Sequence, residues 1–251
     1  MATTISIPGG AKVALTVYGD GTVIAGNGND TIDVTGRGKV IVAGGNDSVT
    51  LGHGGLFQEH GASGHDTITL GLGNDTIIEQ GHATVLGAKG SYFGSATIQG
   101  GELTIKTTRS LVNKQVHFTV TEHAQGGHTT LIGSSAATEF IAGKGMTSMV
   151  GGSGADTFVG GSGSDTMVGG KGSGLFEFLA KDAGGQHLIK DFVSGKDHLY
   201  IEGHSLSYLQ KHGDISTHGG NTYIHIDGGK TTIELQGVTK LTDSDITTHK
   251  G

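Results

Sequence analysis

Carboxylates set in glycine-rich turns recur along this chain. Asp30, Asp47 and Asp66 stand in GNGNDTIDV (26–34), GGNDSVTL (44–51) and GASGHDTITL (61–70), separated by 17 and 19 residues. Asp75 follows Asp66 by nine, in GLGNDTIIE (71–79), and Asp156 and Asp165 hold the same place in GGSGADTFV (151–159) and GGSGSDTMV (160–168). A glycine-rich turn exposes its backbone carbonyls, and stacking two such turns brings two sets of carbonyls together with a carboxylate from each. That is an all-oxygen cage of the kind Ca²⁺ takes, with roughly six to eight ligands at about 2.3–2.6 Å. The short arm of Asp keeps its charge close to the turn. Without a cation the neighbouring carboxylates and convergent carbonyls repel, so the metal becomes part of the folding free energy. The same aspartates would otherwise act as turn residues accepting backbone N–H bonds.

The elements that must position these turns follow from the period. With Gly151 as position one of nine, position eight is Phe140, Met149, Phe158, Met167 and Phe176, running back through AGKGMTSMV (142–150) and GSSAATEFI (133–141). The glycines fade in the flanking copies while the apolar position persists, which predicts a buried ladder extending beyond the motif. Asp-free glycine turns at 36–38 and 53–55 fill the gaps in the N-terminal half, so turns recur about every nine residues. Each interval has room for one short strand. The apolar residue two after the Asp (Ile32, Val49, Ile68, Ile77, Phe158, Met167) would face inward and the intervening Thr outward. Turn, strand, turn, strand makes a flattened coil of about 18 residues, and such coils stack as parallel strands about 4.8 Å apart. About fourteen coils would fill the chain, giving a rod of roughly 65 Å. Gly is 49 of 251 residues but Pro is one, which excludes collagen. A hydrophobic content of 34 %, kept in phase, excludes a flexible linker.

GGSGADTFV and GGSGSDTMV closely match the pattern G-G-x-G-x-D-x-U-x, and through them the chain resembles the RTX proteins, whose nonapeptide repeats bind calcium. The resemblance implies an all-β fold, a parallel β-roll or β-solenoid with Ca²⁺-binding turns and a C-terminal β-rich cap. It implies Asp30, Asp47, Asp66, Asp75, Asp156 and Asp165 as carboxylate ligands. Carbonyls would come from glycines of the same turns: Gly26, Gly28, Gly45, Gly64, Gly73, Gly152, Gly154, Gly161 and Gly163. In the family's pattern each cation lies between turns two repeats apart, so Asp30, Asp47 and Asp66 would supply one edge with two sites. Asp156 would face Thr138 and Gly174, and Asp165 would face Thr147. Those turns lack the second carboxylate and would be completed by water or by the following segment.

Residues 81–132 keep the alternation without Asp turns, in ATVLG (83–87), ATIQGGELTIK (96–106) and VHFTVTE (116–122). The solenoid is expected to continue there with metal-free corners and a bulge near Thr108–Lys114, the alternative being a domain boundary. After residue 177 the period of nine is lost. HLIKDFVSGKDHLYIEG (187–203) holds two strands, and TYIHIDGGKTTIELQGV (222–238) reads as a hairpin around Asp227-Gly228-Gly229. The expected division is a roll over 1–177 and a cap over 178–251. The D-F-x-x-G-x-D segment (Asp191, Phe192, Gly195, Asp197) and LQGVTKLTDSDI resemble the C-terminal region of the RTX family, which implies an uncleaved type I secretion signal. A cap has a physical purpose, since the last coil would otherwise leave backbone groups and core exposed.

Composition narrows the function. A net charge of −7, with Arg37 and Arg109 the arginines, argues against nucleic-acid binding. Zero Cys removes disulfides, thiolate metal sites and thiol nucleophiles. No stretch approaches the ~18 apolar residues of a membrane-crossing helix, and Met1–Val17 lacks the basic and apolar regions of an ordinary secretory signal. Neither H-E-x-x-H, a G-x-S-x-G elbow nor a P-loop is found. His is abundant, 14 residues, but scattered, and it is expected at outward or turn positions. The expectation is therefore a non-catalytic calcium-binding β-solenoid, secreted or on the cell surface, acting as a structural or matrix protein. Stacked coils also invite head-to-tail self-association into a filament or layer. The alternatives are a module that binds surface polysaccharide or ice through threonine ladders (Thr31, Thr67, Thr76, Thr157, Thr166), and a polysaccharide-modifying enzyme of the β-helix type.

Overall fold

Four or five residues between glycine turns suffice for one short strand, and alternation sends every second side chain to the same face. The computed structural model describes residues 3–10, 12–61, 64–70, 75–78, 82–86, 95–99, 102–106, 116–120, 128–133 and 137–249. Among these, strands alternate between two sheets, of 12 and 13 strands, as far as His198–Ile201, after which three successive strands join the second sheet and the last returns to the first. The first sheet runs from Thr3–Ser6 through Gly21–Ala25, Gly38–Val42 and Leu56–Glu59 to Asp156–Gly160, Gly174–Phe178, His198–Ile201 and Ile246–Thr247. The second runs from Ala14–Val17 through Thr31–Val34, Ser48–Leu51 and His65–Thr69 to Met146–Val150, Asp165–Val168, Gln186–Ile189 and Thr231–Leu235. Every pairing so far is parallel, and as far as His198–Ile201 each links a strand to the next but one in sequence, so the chain winds as a flattened β-solenoid. The last two, Gln186–Ile189 with Thr231–Leu235 and His198–Ile201 with Ile246–Thr247, pass over the intervening C-terminal strands. Pairing runs on through His82–Leu86, Ser95–Gln99, Glu102–Lys106, Val116–Val120 and His128–Ile132, where the continued solenoid was expected. The bulge expected near Thr108–Lys114 lies outside the described residues.

Stacking in register converts the sequence period into columns. In the second sheet Ile32, Val49, Ile68 and Val85 pair in succession, and Leu131, Met149 and Met167 continue the same inward column. All are at most 1 % exposed. In the first sheet Phe140, Phe158 and Phe176 stack face to face with centroids 5.2 and 4.9 Å apart, one ring per coil, and Phe192 closes the stack at 6.2 Å. The six apolar residues expected inward after the aspartates are all buried, and the hydroxyl residues before them face out.

Two features depart from a uniform coil. Some coils are longer than 18 residues, as where Leu103 pairs with Thr129 and His187 with Ile233. The first sheet therefore stacks 12 strands rather than fourteen layers, a rise of about 53 Å at ~4.8 Å per layer. At the C-terminal end Asn221–Ile226 pairs antiparallel with Thr231–Leu235, the hairpin expected from its sequence, and Ile215–His218 adds a further antiparallel strand. A short helix, Leu206–His212, precedes them. Ser205 caps it by accepting from the Tyr208 N–H, Gly213 ends it in the left-handed region, and Leu206 and Leu209 bury one face. No helix among the described residues is long and apolar enough to cross a membrane.

The aromatic stack generates the first prediction. Phe158→Ala removes the middle ring from a fully enclosed column and should cost about 3–5 kcal/mol. Denaturant unfolding of wild type and variant in saturating calcium measures this, and a loss below about 1 kcal/mol would contradict the stack.

Candidate metal centre

Asp30, Asp47 and Asp66 each sit at the turn–strand junction of successive coils in the second sheet. Their strand parity is that of the inward residues, and all three are 1–2 % exposed. The aligned register places them in one column, with Val13 before and Ala83 after. Each uses one carboxylate oxygen in the same way. Oδ1 of Asp30 accepts the Val13 N–H at 2.9 Å, Oδ1 of Asp47 the Asp30 N–H at 2.7 Å, and Oδ1 of Asp66 the Asp47 N–H at 2.9 Å. The other oxygen, Oδ2, is buried in all three without a hydrogen-bond partner. A buried carboxylate oxygen left so is costly unless a cation or proton meets it.

The turns beside them are built of backbone oxygen. Gly45 (φ +122°) and Gly64 (φ +136°) pack so tightly on the carbonyls of Gly28 and Gly45 that a Cβ at either position would collide with that oxygen. Only glycine allows both this φ and this approach. The corner thus joins stacked carboxylates to a carbonyl-rich turn, a donor set suited to a hard divalent cation. Among the described residues no three His, Asp or Glu side chains converge as a metal-binding group. A cation at these corners would depend on carbonyls for much of its shell.

The remaining expected ligands divide. Asp75 lies in the first sheet, accepts the Gly55 N–H at 2.7 Å, and pairs against Ala96 on its other side, with no acid beside it in the column. Asp156 faces Thr138 and Gly174, the neighbours expected, and both its oxygens are taken, by the N–H groups of Thr138 and Gly152, each at 2.8 Å. Asp165 pairs with Thr147 as expected. Its Oδ2 accepts the Gly161 N–H at 3.1 Å, and its Oδ1 has no partner. Gly152 and Gly161 therefore serve these acids through their N–H groups. The carbonyls of Gly154 and Gly163 press on Gly172 and Gly185, and Gly26 packs on Gly9. Gly73 lies outside the described residues.

Sequence reasoning gave four further acids no bonding role: Glu59, which it did not single out, and Asp191, Asp197 and Asp245, which it named or quoted only as part of the C-terminal resemblance. Glu59 is 1 % exposed, on the inward face two residues after Phe57, opposite Val42 of the preceding coil. Its parity with Phe57 was the available signal. Asp191 accepts the N–H groups of Gly169 and Gly170, at 2.6 and 2.8 Å. Asp197 accepts those of Gly174 and Val193, both at 2.8 Å. Asp245 accepts from Ser194 Oγ, Gly195 N, and both the backbone and hydroxyl of Thr242. The cap's acids are thus held by amides and hydroxyls. Most described histidines are outward or half-exposed, but His187 is 2 % exposed, an exception to the surface role expected for His.

The electrostatics follow the burial. Desolvation pushes Asp47 up to about 6, against the amide of Asp30, with the charges of Asp30 and Glu59 adding to the rise. Desolvation likewise takes Asp66 to about 7, with Asp47 and Glu59 adding, and Asp75 to about 6. Asp156 is also raised by burial. At Asp245 burial acts upward too, but hydrogen bonds from Thr242, Gly195 and Ser194 outweigh it and its pKa is lowered.

The family described as "RTX calcium-binding nonapeptide repeat (4 copies)" matches residues 16–34, 60–78 and 141–175. The chain carries RTX calcium-binding repeats. Five of the six RTX-type aspartates fall inside the matched stretches, and Asp47 falls between two of those stretches, in the column of Asp30 and Asp66. No curated protein matches. Among solved structures, the extracellular lipase LipA from Serratia marcescens is similar at 17 % identity and a TM-score of 0.40, over 93 % of this chain and 40 % of that one. The chain thus spans well under half the length of that lipase.

The raised carboxylates generate the second prediction. Between about pH 4 and 7 the calcium-free folded state holds protons at Asp47, Asp66 and Asp75 that the unfolded chain has released. The unfolded state then binds fewer protons, so stability falls as pH rises through that window. In chelator, the folded fraction by circular dichroism should be larger near pH 4.5 than near pH 7.5. A flat or opposite trend would contradict the buried, cation-free corner.

Proposed function

We propose that this chain is a non-catalytic, calcium-stabilised β-roll, exported to the cell surface or medium, where the roll itself serves as a structural or matrix element. The observation that carries this reading is the column Asp30–Asp47–Asp66, with three buried oxygens that lack a partner beside carbonyl-rich turns. Two calcium ions, one between the Asp30 and Asp47 turns and one between those of Asp47 and Asp66, would answer those oxygens. The proposed division is a roll over 1–177, with 81–132 mostly metal-free, and a cap over 178–251 that also holds a type I secretion signal. Calcium-dependent closure suits export, because a chain kept open at low cytosolic Ca²⁺ can be threaded and then fold outside.

Calcium titration followed by circular dichroism tests the reading. A cooperative gain of β signal, reversed by chelator, is expected. Asp47→Asn, shared by both proposed sites, should weaken the transition at least about tenfold in calcium concentration, since ligand charge count tunes such sites over orders of magnitude. Light scattering in the same titration reads head-to-tail association. Unchanged spectra with calcium would end the proposal, and a strictly monomeric species at high concentration would end its assembly part.

One observation favours a second reading. Along the second sheet, Thr31, Ser48, Thr67, Thr84, Thr104, Thr130, Ser148 and Thr166 pair in unbroken succession, one hydroxyl residue per coil, and Thr31, Ser48, Thr67, Thr84, Thr130, Ser148 and Thr166 lie on its outward face. So regular a row would suit a repeating hydroxylated partner, either surface polysaccharide or ice. Glycan-array binding or thermal hysteresis by the calcium-loaded protein, lost in Thr67→Lys, would favour this reading. Neither signal would leave the structural role.

A further inference from the structure

Beyond Thr166 the outward row of the second sheet changes character. Leu188, Glu234 and Tyr223 follow in register, so from Thr130 through Ser148 and Thr166 the row passes from hydroxyls to an apolar residue, an acid and an aromatic ring. All six residues line one cavity of about 730 Å³, although Thr130 and Tyr223 stand on the first and last of six neighbouring strands. A flat sheet would leave no such enclosure, so the outward face is concave at this end. The volume falls within the ~300–1,000 Å³ usual for ligand sites. The C-terminal hairpin positions the polar groups of this trough. Glu234 Oε1 accepts from Asn221 Nδ2 at 2.7 Å and from Tyr223 Oη at 3.1 Å. Its Oε2 receives no hydrogen bond among the described residues, and no lysine or arginine among them lines the cavity. One oxygen thus fixes the carboxylate, and the other is left to accept from a ligand. The Tyr223 ring lies against that of His218, with centroids 4.0 Å apart and planes 7° from parallel.

We propose that this trough binds a neutral polysaccharide. A sugar ring presents a face of C–H groups and a rim of hydroxyls. Tyr223 and Leu188 offer apolar surface to the face, as aromatic and aliphatic side chains do in ligand sites. Glu234 Oε2 accepts from the rim, and the hydroxyls of Ser148 and Thr166 both donate and accept. The unanswered carboxylate decides the charge. An acidic polysaccharide would bring like charge to Glu234 with no lysine or arginine in the cavity wall to offset it. Hydroxyl residues about 4.8 Å apart along the floor suit a chain of repeating rings better than a single small molecule. The inference rests on the polysaccharide reading of the hydroxyl row, but it confines binding to the C-terminal end of that row. It does not depend on which turns hold calcium.

Titration calorimetry on the full chain in saturating calcium tests this, with neutral hexasaccharides of glucose and of mannose, in α and β linkage, and an oligouronate of equal length. At least one neutral hexasaccharide should bind, and the oligouronate should bind at least about tenfold more weakly. Glu234→Gln keeps an acceptor for Asn221 and Tyr223 and should weaken the neutral sugar about tenfold, as loss of a hydrogen bond to a charged group does. Tyr223→Ala should weaken it to a similar degree, while Thr22→Lys, on the first sheet, leaves it unchanged. Circular dichroism checks that each variant folds. Diffraction from wild-type crystals grown with the binding hexasaccharide locates the sugar even if a variant does not. Sugar density over Leu188 and against Tyr223 supports the proposal. Binding of no neutral hexasaccharide, tighter binding of the oligouronate, or unchanged affinity in folded Glu234→Gln and Tyr223→Ala would overturn it. Binding lost in Thr67→Lys but kept in both trough variants would also overturn it, and would leave the reading of the whole hydroxyl row standing.

Discussion

Coils stacked in register about 4.8 Å apart turn any residue that recurs once per coil into a column. That constraint acts on every residue type in this chain. For the apolar positions it is favourable, since Ile32, Val49, Ile68, Met149 and Met167 bury against their own repeats. For phenylalanine it yields face-to-face stacking. For aspartate it is unfavourable, because burial and like charge both oppose ionisation, and the pKa values of Asp47 and Asp66 rise accordingly. A column of buried acids can persist only with some other group to receive its charge or its protons.

The roll answers its acids differently along its length. At Asp30, Asp47 and Asp66 one oxygen of each carboxylate is met by the amide of the coil before it, and the other is left over. In the cap, Asp191 and Asp197 accept two amides each, and Asp245 is surrounded by amides and hydroxyls. The N-terminal corners depend on something outside the chain, while the cap closes through its own hydrogen bonds. On the proposed reading this asymmetry places calcium control in the roll and leaves the cap a metal-independent end stop.

Much of this was legible before any coordinates. The inward residues two after each Asp, the outward hydroxyls, and the facing pairs Asp156 with Thr138 and Gly174, and Asp165 with Thr147, all follow from counting nines and eighteens. What counting could not reach is the set of residues that depart from the count. Glu59 occupies an apolar rank, and His187 enters the acidic column only because its coil is longer than 18 residues. The capped helix at Leu206–His212 arises where the period has already lapsed.

The amino-acid sequence by itself determined the two-sheet solenoid, its core columns and the acidic corners, because each depends on local spacing repeated many times, and stacking carries local spacing into three dimensions. Tertiary structure alone decided which carboxylate oxygens are satisfied. Asp156 and Asp47 look alike in their motifs, yet one spends both oxygens on amides and the other keeps one unanswered. The difference lies in which N–H groups of this coil and the one before it point toward the turn, a matter of relative placement that no single repeat encodes.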